Sequence, residues 1–171
     1  PANRVDLLLQ ATQQLLRKFP TLTAAIVGKG PDEQRLKGLA AELGIERHVR
    51  FPGAIYDEMQ LAPWMLSADV YCYPSNIGLS LLHAFGYALP VVTADRPTAH
   101  GPEIEALQPD RNGLVYAEGN IQSLTETLRH LLDCPELRAR LSAGAEETVL
   151  TQFSLTKMVD GFMDAIQTAR A

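Results

Sequence analysis

The chain has 171 residues, of which 46% are hydrophobic and 20% are charged, and this is enough for one globular domain with a buried core. Its formal net charge of −5 argues against non-specific binding to nucleic acid, which needs a basic surface that displaces phosphate counterions. No apolar run approaches the length of about 18 residues that a membrane-spanning helix needs, and no signal peptide is visible.

The two cysteines have unrelated settings, because Cys72 lies inside an apolar run and Cys134 lies just before a proline. Such settings are typical of reduced packing and capping residues, so we expect a protein of the cytoplasm or of the cytoplasmic face of a membrane. No Cys/His spacing resembles a metal site, and no metal is predicted. The sequence begins at Pro1 with neither methionine nor leader, so we expect it to be part of a longer polypeptide.

Helical and extended patterns alternate along the chain. An amphipathic helix over residues 5–19 precedes a continuous apolar run at 22–27, which predicts a strand covered on both faces. The last helix carries an apolar row behind Ser154 as its N-cap, and we expect it to pack against the domain. Further helices are predicted over 31–44, 57–66, 78–87, 103–107, 121–132, 135–149 and 155–169, and further strands over 49–51, 69–73, 90–93 and 113–116.

Strands that alternate with helices of about 10–15 residues indicate crossover connections and a parallel sheet. The sequence contains no internal repeat, linker or low-complexity tract. We therefore predict an α/β fold, a doubly wound parallel sheet of the Rossmann-like kind with helices on both faces, as one domain over residues 1–171.

Ligands of such sheets bind beyond the carboxyl ends of the strands, where a loop enters a helix. Three junctions qualify, at residues 28–32, 53–56 and 74–80. The third is the most informative, because glycine before an apolar helix lets an anion approach free backbone N–H groups closely. The N–H groups of Gly78-Leu79-Ser80 could hold a diphosphate there without a metal. The alternative is a tight strand-to-helix turn, which any α/β protein needs.

The other candidate residues have two interpretations each. Gly28-Lys29-Gly30 matches neither a Walker loop nor a G-x-G-x-x-G loop, and its simple alternative is a glycine turn with a solvated lysine. His83 lies in an apolar helix, where it is either a ligand or a satisfied core residue. Glu103 and Glu105 are two residues apart and point to different faces, so Glu103 either lines the site or is a helix-start acid near the dipole.

Taken in order, these junctions resemble one family. A series of sequence blocks, given at the end of this paragraph, is similar to the C-terminal domain of family-4-type (group 1) retaining glycosyltransferases of the GT-B fold. They cover nearly the whole chain in the expected order, which is far more specific than any block alone. The blocks are IVGKGPDEQRLKGLAAELGI, VRFPGAI, ADVYCYPS, IGLSLLHAFGYALPVVTAD, PEIEAL, NGLVYAEGNIQSLTETLRHLL and CPELRARL.

The resemblance implies an enzyme with two Rossmann-like halves, in which this C-terminal half binds a nucleoside-diphosphate sugar and an absent N-terminal half binds the acceptor. It places the base near Gly53, Ala54 and Ile55 and the diphosphate at Gly78-Leu79-Ser80, with Gly28-Lys29-Gly30 bordering the pocket. The sugar would be transferred with retention, with the nucleotide sugar as substrate and with neither metal nor cofactor. This half alone is expected to be inactive, and no residue is assigned as catalytic.

Two departures from the family pattern bear on the site. Ser75 and His83 stand where family members carry a pair of glutamates, so Ser75 or Asn76 is expected to contact the sugar and His83 the ribose or phosphate. The family's basic pair is also incomplete, because its arginine belongs to a first, central strand that this sequence lacks. Asn3 stands at the companion position, and Arg4 next to it is the expected substitute.

The leading hypothesis is the donor domain of a hexosyl-type glycosyltransferase. The alternatives are a non-catalytic sugar-nucleotide-binding or scaffolding domain with a degenerate active site, and a different GT-B-like enzyme such as an epimerase. A chain without its first strand exposes strand edges and apolar area, so self-association of this chain is expected.

Overall fold

The computed structural model describes residues 3–96, 98 and 100–169. The predicted alternation of helices and strands is confirmed, although α1 ends at Leu15 rather than at residue 19, where the chain continues in turns. Short 3-10 helices cover Glu46–His48 and Pro102–Ala106. The helices are α1 (Val5–Leu15), α2 (Glu33–Glu42), α3 (Glu58–Leu66), α4 (Ser80–Gly86), α5 (Ile121–Asp133), α6 (Pro135–Thr151) and α7 (Leu155–Ala169), and the strands are β1 (Ala24–Val27), β2 (Val49–Gly53), β3 (Tyr71–Tyr73), β4 (Val91–Ala94) and β5 (Gly113–Tyr116).

The strands pair in parallel, as predicted, but they form two sheets rather than one. Strand β1 pairs with β2, and β4 lies between β3 and β5. Thr23, just before β1, and Asp69, just before β3, line one cleft of about 370 Å³. The first residues of β1 and β3 therefore lie near each other, and the two sheets lie side by side. Within the described residues, β1 and β3 each have a strand partner on one edge only.

Strand β1 is less buried than its sequence predicts. The prediction that residues 22–27 are covered on both faces is wrong, because Ala25 and Val27 are exposed and their neighbours Ala24 and Ile26 are only half-buried. The alternation of half-buried and exposed residues means that one face of β1 is covered and the other face is open to solvent. By contrast β4, which has a partner on each side, is buried at every residue.

Helix α1 connects the cores of the two sheets. Its Leu7 packs in a cluster with Val92 of β4 and Leu128 of α5. Its Leu9 packs in a second cluster with Val49 of β2 and the buried face of α2. A third cluster joins α4, β4 and α6. Because α1 contributes to the core of each sheet, it fixes the position of one sheet relative to the other.

Helix α7 does not pack against the domain, so that expectation is wrong. The N-cap prediction is confirmed, since the N–H of Lys157 donates to Ser154 Oγ at 3.3 Å. None of the described residues of α7 is buried. Amphipathic periodicity predicts which face of a helix is apolar, but it does not predict whether the same chain covers that face. The exposed apolar row comprises Leu155, Met158, Val159, Phe162 and Met163.

No helix in the described part of the chain is both long enough and apolar enough to cross a membrane.

Candidate functional site

The loop that follows β3 is held by side chains of the other two strands of its sheet, β4 and β5. Thr93 on β4 places its Oγ1 2.8 Å from the carbonyl oxygen of Tyr73 and 3.0 Å from that of Ser75. The phenol of Tyr116 on β5 donates to the carbonyl oxygen of Pro74 at 2.6 Å. Burial raises the pKa of Tyr116 to about 12, so the phenol keeps its proton and remains a donor. The backbone at the carboxyl end of β3 is therefore fixed.

The segment that enters α4 is held by the loop after β4. The N–H of Ile77 donates to Nδ1 of His100 at 3.0 Å, and the N–H of Gly101 donates to the carbonyl oxygen of Ile77 at 2.9 Å. The second ring nitrogen of His100, Nε2, lies 3.0 Å from the carbonyl oxygen of Ala94. These contacts fix the backbone immediately before Gly78-Leu79-Ser80.

Glu103 lies against the same segment. A β-carbon on Gly101 would clash with Oε2 of Glu103 and would lie 3.3 Å from the Cα of Gly78. A β-carbon on Gly78 would lie 3.8 Å from the same carboxylate oxygen. Glu103 is half-buried and Glu105 is exposed, as their spacing predicts. The carboxylate of Glu103 therefore lies close to Gly78. The lack of a side chain at Gly78 and at Gly101 leaves room for this approach.

The side chains around this segment differ in how accessible they are. Ser75 is buried and its hydroxyl donates to Asn76 Oδ1 at 3.3 Å, whereas Asn76 itself is exposed. Leu79 is exposed, and Ser80 is half-buried. Of the two residues expected to contact a sugar, Asn76 is therefore the accessible one.

The first two junctions of the sequence analysis meet at the end of the β1–β2 pair. The N–H of Gly28 donates to the carbonyl oxygen of Gly53 at 2.9 Å. Their φ angles are 144° and 83°, in the region that favours glycine. Ala54 and Ile55 continue from this junction half-buried, and Lys29 is exposed. The residues predicted to bind the base, at 53–55, therefore lie next to those predicted to border the pocket, at 28–30.

Arg4 lies beside the turn that follows β5. Its Nε is 3.3 Å from Oδ1 of Asp6, and its Nη1 is 3.9 Å from the position of a β-carbon on Gly119. In the described part of the chain, the guanidinium of Arg4 contacts Asp6 through Nε and Nη2. Its Nη1 makes no contact with Asp6 and is the group that could meet an anion.

His83 lies on the surface beside α3. Its side chain is 43% exposed and its Nε2 lies 3.0 Å from Oε1 of Glu58, so the interpretation of His83 as a core residue is wrong. The hydroxyl of Tyr87 donates to the same oxygen. The hydrogen bonds from Tyr87 and, second, from His83 lower the pKa of the Glu58 carboxyl. A ligand that engages His83 would compete with Glu58.

Three residues that fix the site were not identified from the sequence: Thr93, Tyr116 and His100. Thr93 and Tyr116 are polar residues at or near the ends of otherwise apolar strands, and this position is a usable signal in a parallel sheet. His100 lies in a loop without periodicity, so its partners could not be inferred. Among the described residues, no cluster of three or more His, Cys, Asp or Glu side chains is arranged to hold a metal ion.

Comparisons with known proteins agree on one family. The family described as glycosyl transferases group 1 matches residues 1–148. A D-inositol 3-phosphate glycosyltransferase of Frankia alni is 38% identical over 159 residues, which are 85% of this chain and 37% of that protein. The chain spans between 37% and 44% of the length of the first curated relatives that it matches.

Solved structures show the same fold. Anabaena Alr3699/HepE in complex with UDP has a TM-score of 0.83 at 21% identity, over 98% of this chain and 46% of that chain. The C-terminal domain of a group 1 glycosyl transferase, LpcC from Francisella tularensis, has a TM-score of 0.77 at 22% identity, over 90% of this chain and 81% of that one. The predicted fold, the Rossmann-like C-terminal half of a GT-B structure, is confirmed.

Proposed function

Because the chain belongs to the group 1 glycosyltransferases, we propose that it is the donor-binding domain of an enzyme that transfers a hexosyl unit from a nucleoside-diphosphate sugar with retention of configuration. The observation that carries the proposal is the fixed backbone around residues 73–78, with Glu103 beside it. This backbone lies at the carboxyl end of a parallel strand, where nucleotides bind in such sheets. The UDP bound to the Anabaena protein supports a nucleotide as ligand.

The diphosphate of the donor would meet the backbone N–H groups of Gly78-Leu79-Ser80. Negative charge grows on the leaving diphosphate as the glycosidic bond breaks, and donors that are already oriented stabilise it without reorganisation. The hydrogen bonds that Thr93 and Tyr116 donate, and the one that His100 accepts from Ile77, provide that orientation before the ligand arrives. Lys29 and Arg4 are the basic side chains that we assign to the same charge.

The remaining candidates divide between the base and the sugar. The joined loops at Gly53, Ala54 and Ile55 would hold the base. Glu103 would accept hydrogen bonds from sugar hydroxyls, and a carboxylate suits this role because it only accepts. Glu103 would thereby supply the negative group that Ser75 and His83 do not supply at the positions of the family glutamates. His83 would give up its hydrogen bond with Glu58 and would contact the ribose instead.

Binding of the acceptor is assigned to the part of the polypeptide beyond these 171 residues. The relatives that the chain matches are more than twice as long as the matched region, which is consistent with a second domain. Transfer therefore requires the full polypeptide, and the domain described here is expected to be inactive alone.

A matched pair of variants tests the proposal in the full polypeptide. Glu103→Gln should lower kcat/KM for the donor about tenfold or more, since a neutral amide oxygen replaces the charged acceptor and accepts more weakly. Glu105→Gln makes the same change on an exposed side chain two residues away and should leave activity near the wild-type value. Sugar transfer from UDP- and GDP-sugars is the measurement. Equal activity of the two variants would contradict the assignment of Glu103.

The alternative, a non-catalytic sugar-nucleotide-binding domain, is favoured by one observation. The two positions of the family glutamates hold Ser75, which is buried, and His83, which is paired with Glu58. Neither of these residues has a carboxylate. This alternative predicts that the full polypeptide binds a nucleotide sugar but transfers no sugar to any acceptor tested.

A further inference from the structure

We propose that His100, as the neutral Nε2–H tautomer, is a positioning residue that holds the 77–80 segment ready for the donor; this inference rests on the proposed function. The tautomer follows from the contacts. Nδ1 accepts from the N–H of Ile77 at 3.0 Å, so it carries no hydrogen. Nε2 then carries the ring hydrogen and donates it to the carbonyl oxygen of Ala94 at 3.0 Å.

The imidazole links the end of β4 to the segment that leads into α4. Ala94 is the last residue of β4, and Ile77 lies three residues before the first residue of α4. Gly101 adds a hydrogen bond to the carbonyl oxygen of Ile77 at 2.9 Å, so both backbone polar groups of Ile77 are held by adjacent residues of one loop. The position of Gly78-Leu79-Ser80 is thus set from the end of β4.

The N–H of Ile77 depends on this ring because its surroundings are closed. Ile77 has no exposed surface, and a buried backbone donor that loses its partner is not readily rescued by water. Removing the acceptor therefore favours movement of the segment until the N–H finds another partner. Movement of the segment would lower the affinity of the site for the donor.

Two variants of the full polypeptide separate the hydrogen bond from the bulk of the ring. His100→Asn keeps an acceptor oxygen near the position of Nδ1. His100→Leu removes both polar contacts. The surface change His130→Asn on α5, where the side chain is exposed, is the control. Hydrogen exchange at the Ile77 amide and affinity for UDP and GDP are the two measurements.

His100→Leu should lower Ile77 protection and nucleotide affinity together, by about three- to tenfold for the affinity. His100→Asn, which retains an acceptor, should keep much of both, and His130→Asn should match wild-type protein. The proposal is overturned if Ile77 exchange is the same in all four proteins, or if His100→Asn loses as much protection and affinity as His100→Leu. If wild-type protein bound no nucleotide, the proposed function would fail, whereas the exchange data would still decide the role of His100.

Discussion

Nε2 of His83 lies 3.0 Å from Oε1 of Glu58, and this contact joins the first turn of α4 to the first residue of α3. The hydroxyl of Tyr87 converges on the same carboxylate oxygen. Because the side chains of His83 and Glu58 are 43% and 59% exposed, solvent screens the pair and its net contribution to stability is small. The contact is better suited to be exchanged for a ligand than to hold the fold.

The carboxyl of Glu58 should titrate below its ordinary value of 4.5, because Tyr87 and His83 hydrogen-bond the ionised form. The pKa is depressed in the folded state, so this contribution to stability is present above the unfolded pKa and disappears as the pH falls through the folded pKa. Tyr87→Phe removes the larger cause and should raise the pKa of Glu58 towards 4.5. NMR titration of the side-chain carboxyl measures it.

Tyr56→Phe is the control for this titration, because Tyr56 is 96% exposed. An unchanged Glu58 midpoint in Tyr87→Phe would show that the hydroxyl of Tyr87 does not interact with the carboxylate in solution.

Removal of the buried phenol hydroxyl of Tyr116 should destabilise the domain. Tyr116→Phe leaves the carbonyl oxygen of Pro74 without its donor in a buried position, which should lower the free energy of unfolding by about 1–3 kcal/mol. Urea denaturation measures the change. Tyr56→Phe, which removes an exposed hydroxyl, should unfold like wild type. Equal midpoints for the two variants would mean that the loop after β3 is not fixed by Tyr116.

Local patterns in the sequence predicted most elements, and long-range pairing explains what they missed. Strand β5 was predicted at residues 113–116, and it is observed at Gly113–Tyr116, because a short apolar run between turn residues is a local signal. The open face of β1 was not predictable, since burial of a strand depends on which elements pack against each of its faces. His100 reaches a partner 23 residues away in sequence, and no periodicity encodes such a contact. The junctions could be located from glycines, but the side chains that fix them could not.

The exposed apolar row of α7 should make the isolated 171-residue chain self-associate, since a contiguous apolar surface in water favours burial against a second copy. Phe162→Glu places a charge in the middle of the row and should shift the chain towards monomer in sedimentation velocity. Gln167→Glu adds the same charge at another exposed position of α7 and should behave like the parent chain. A parent chain that stays monomeric at high concentration would contradict this prediction.

The proposed function requires that the carboxyl edge of the strands binds a nucleoside diphosphate, with the diphosphate at the start of α4. Amide NMR spectra recorded during separate titrations with UDP, GDP and uridine detect such binding residue by residue. UDP or GDP should shift Gly78, Leu79 and Ser80 together with the junction at Gly53–Ile55, whereas uridine, which lacks phosphate, should shift the junction alone. Diphosphate-induced shifts confined to residues remote from both places, or equal shifts of residues 78–80 with uridine, would contradict it.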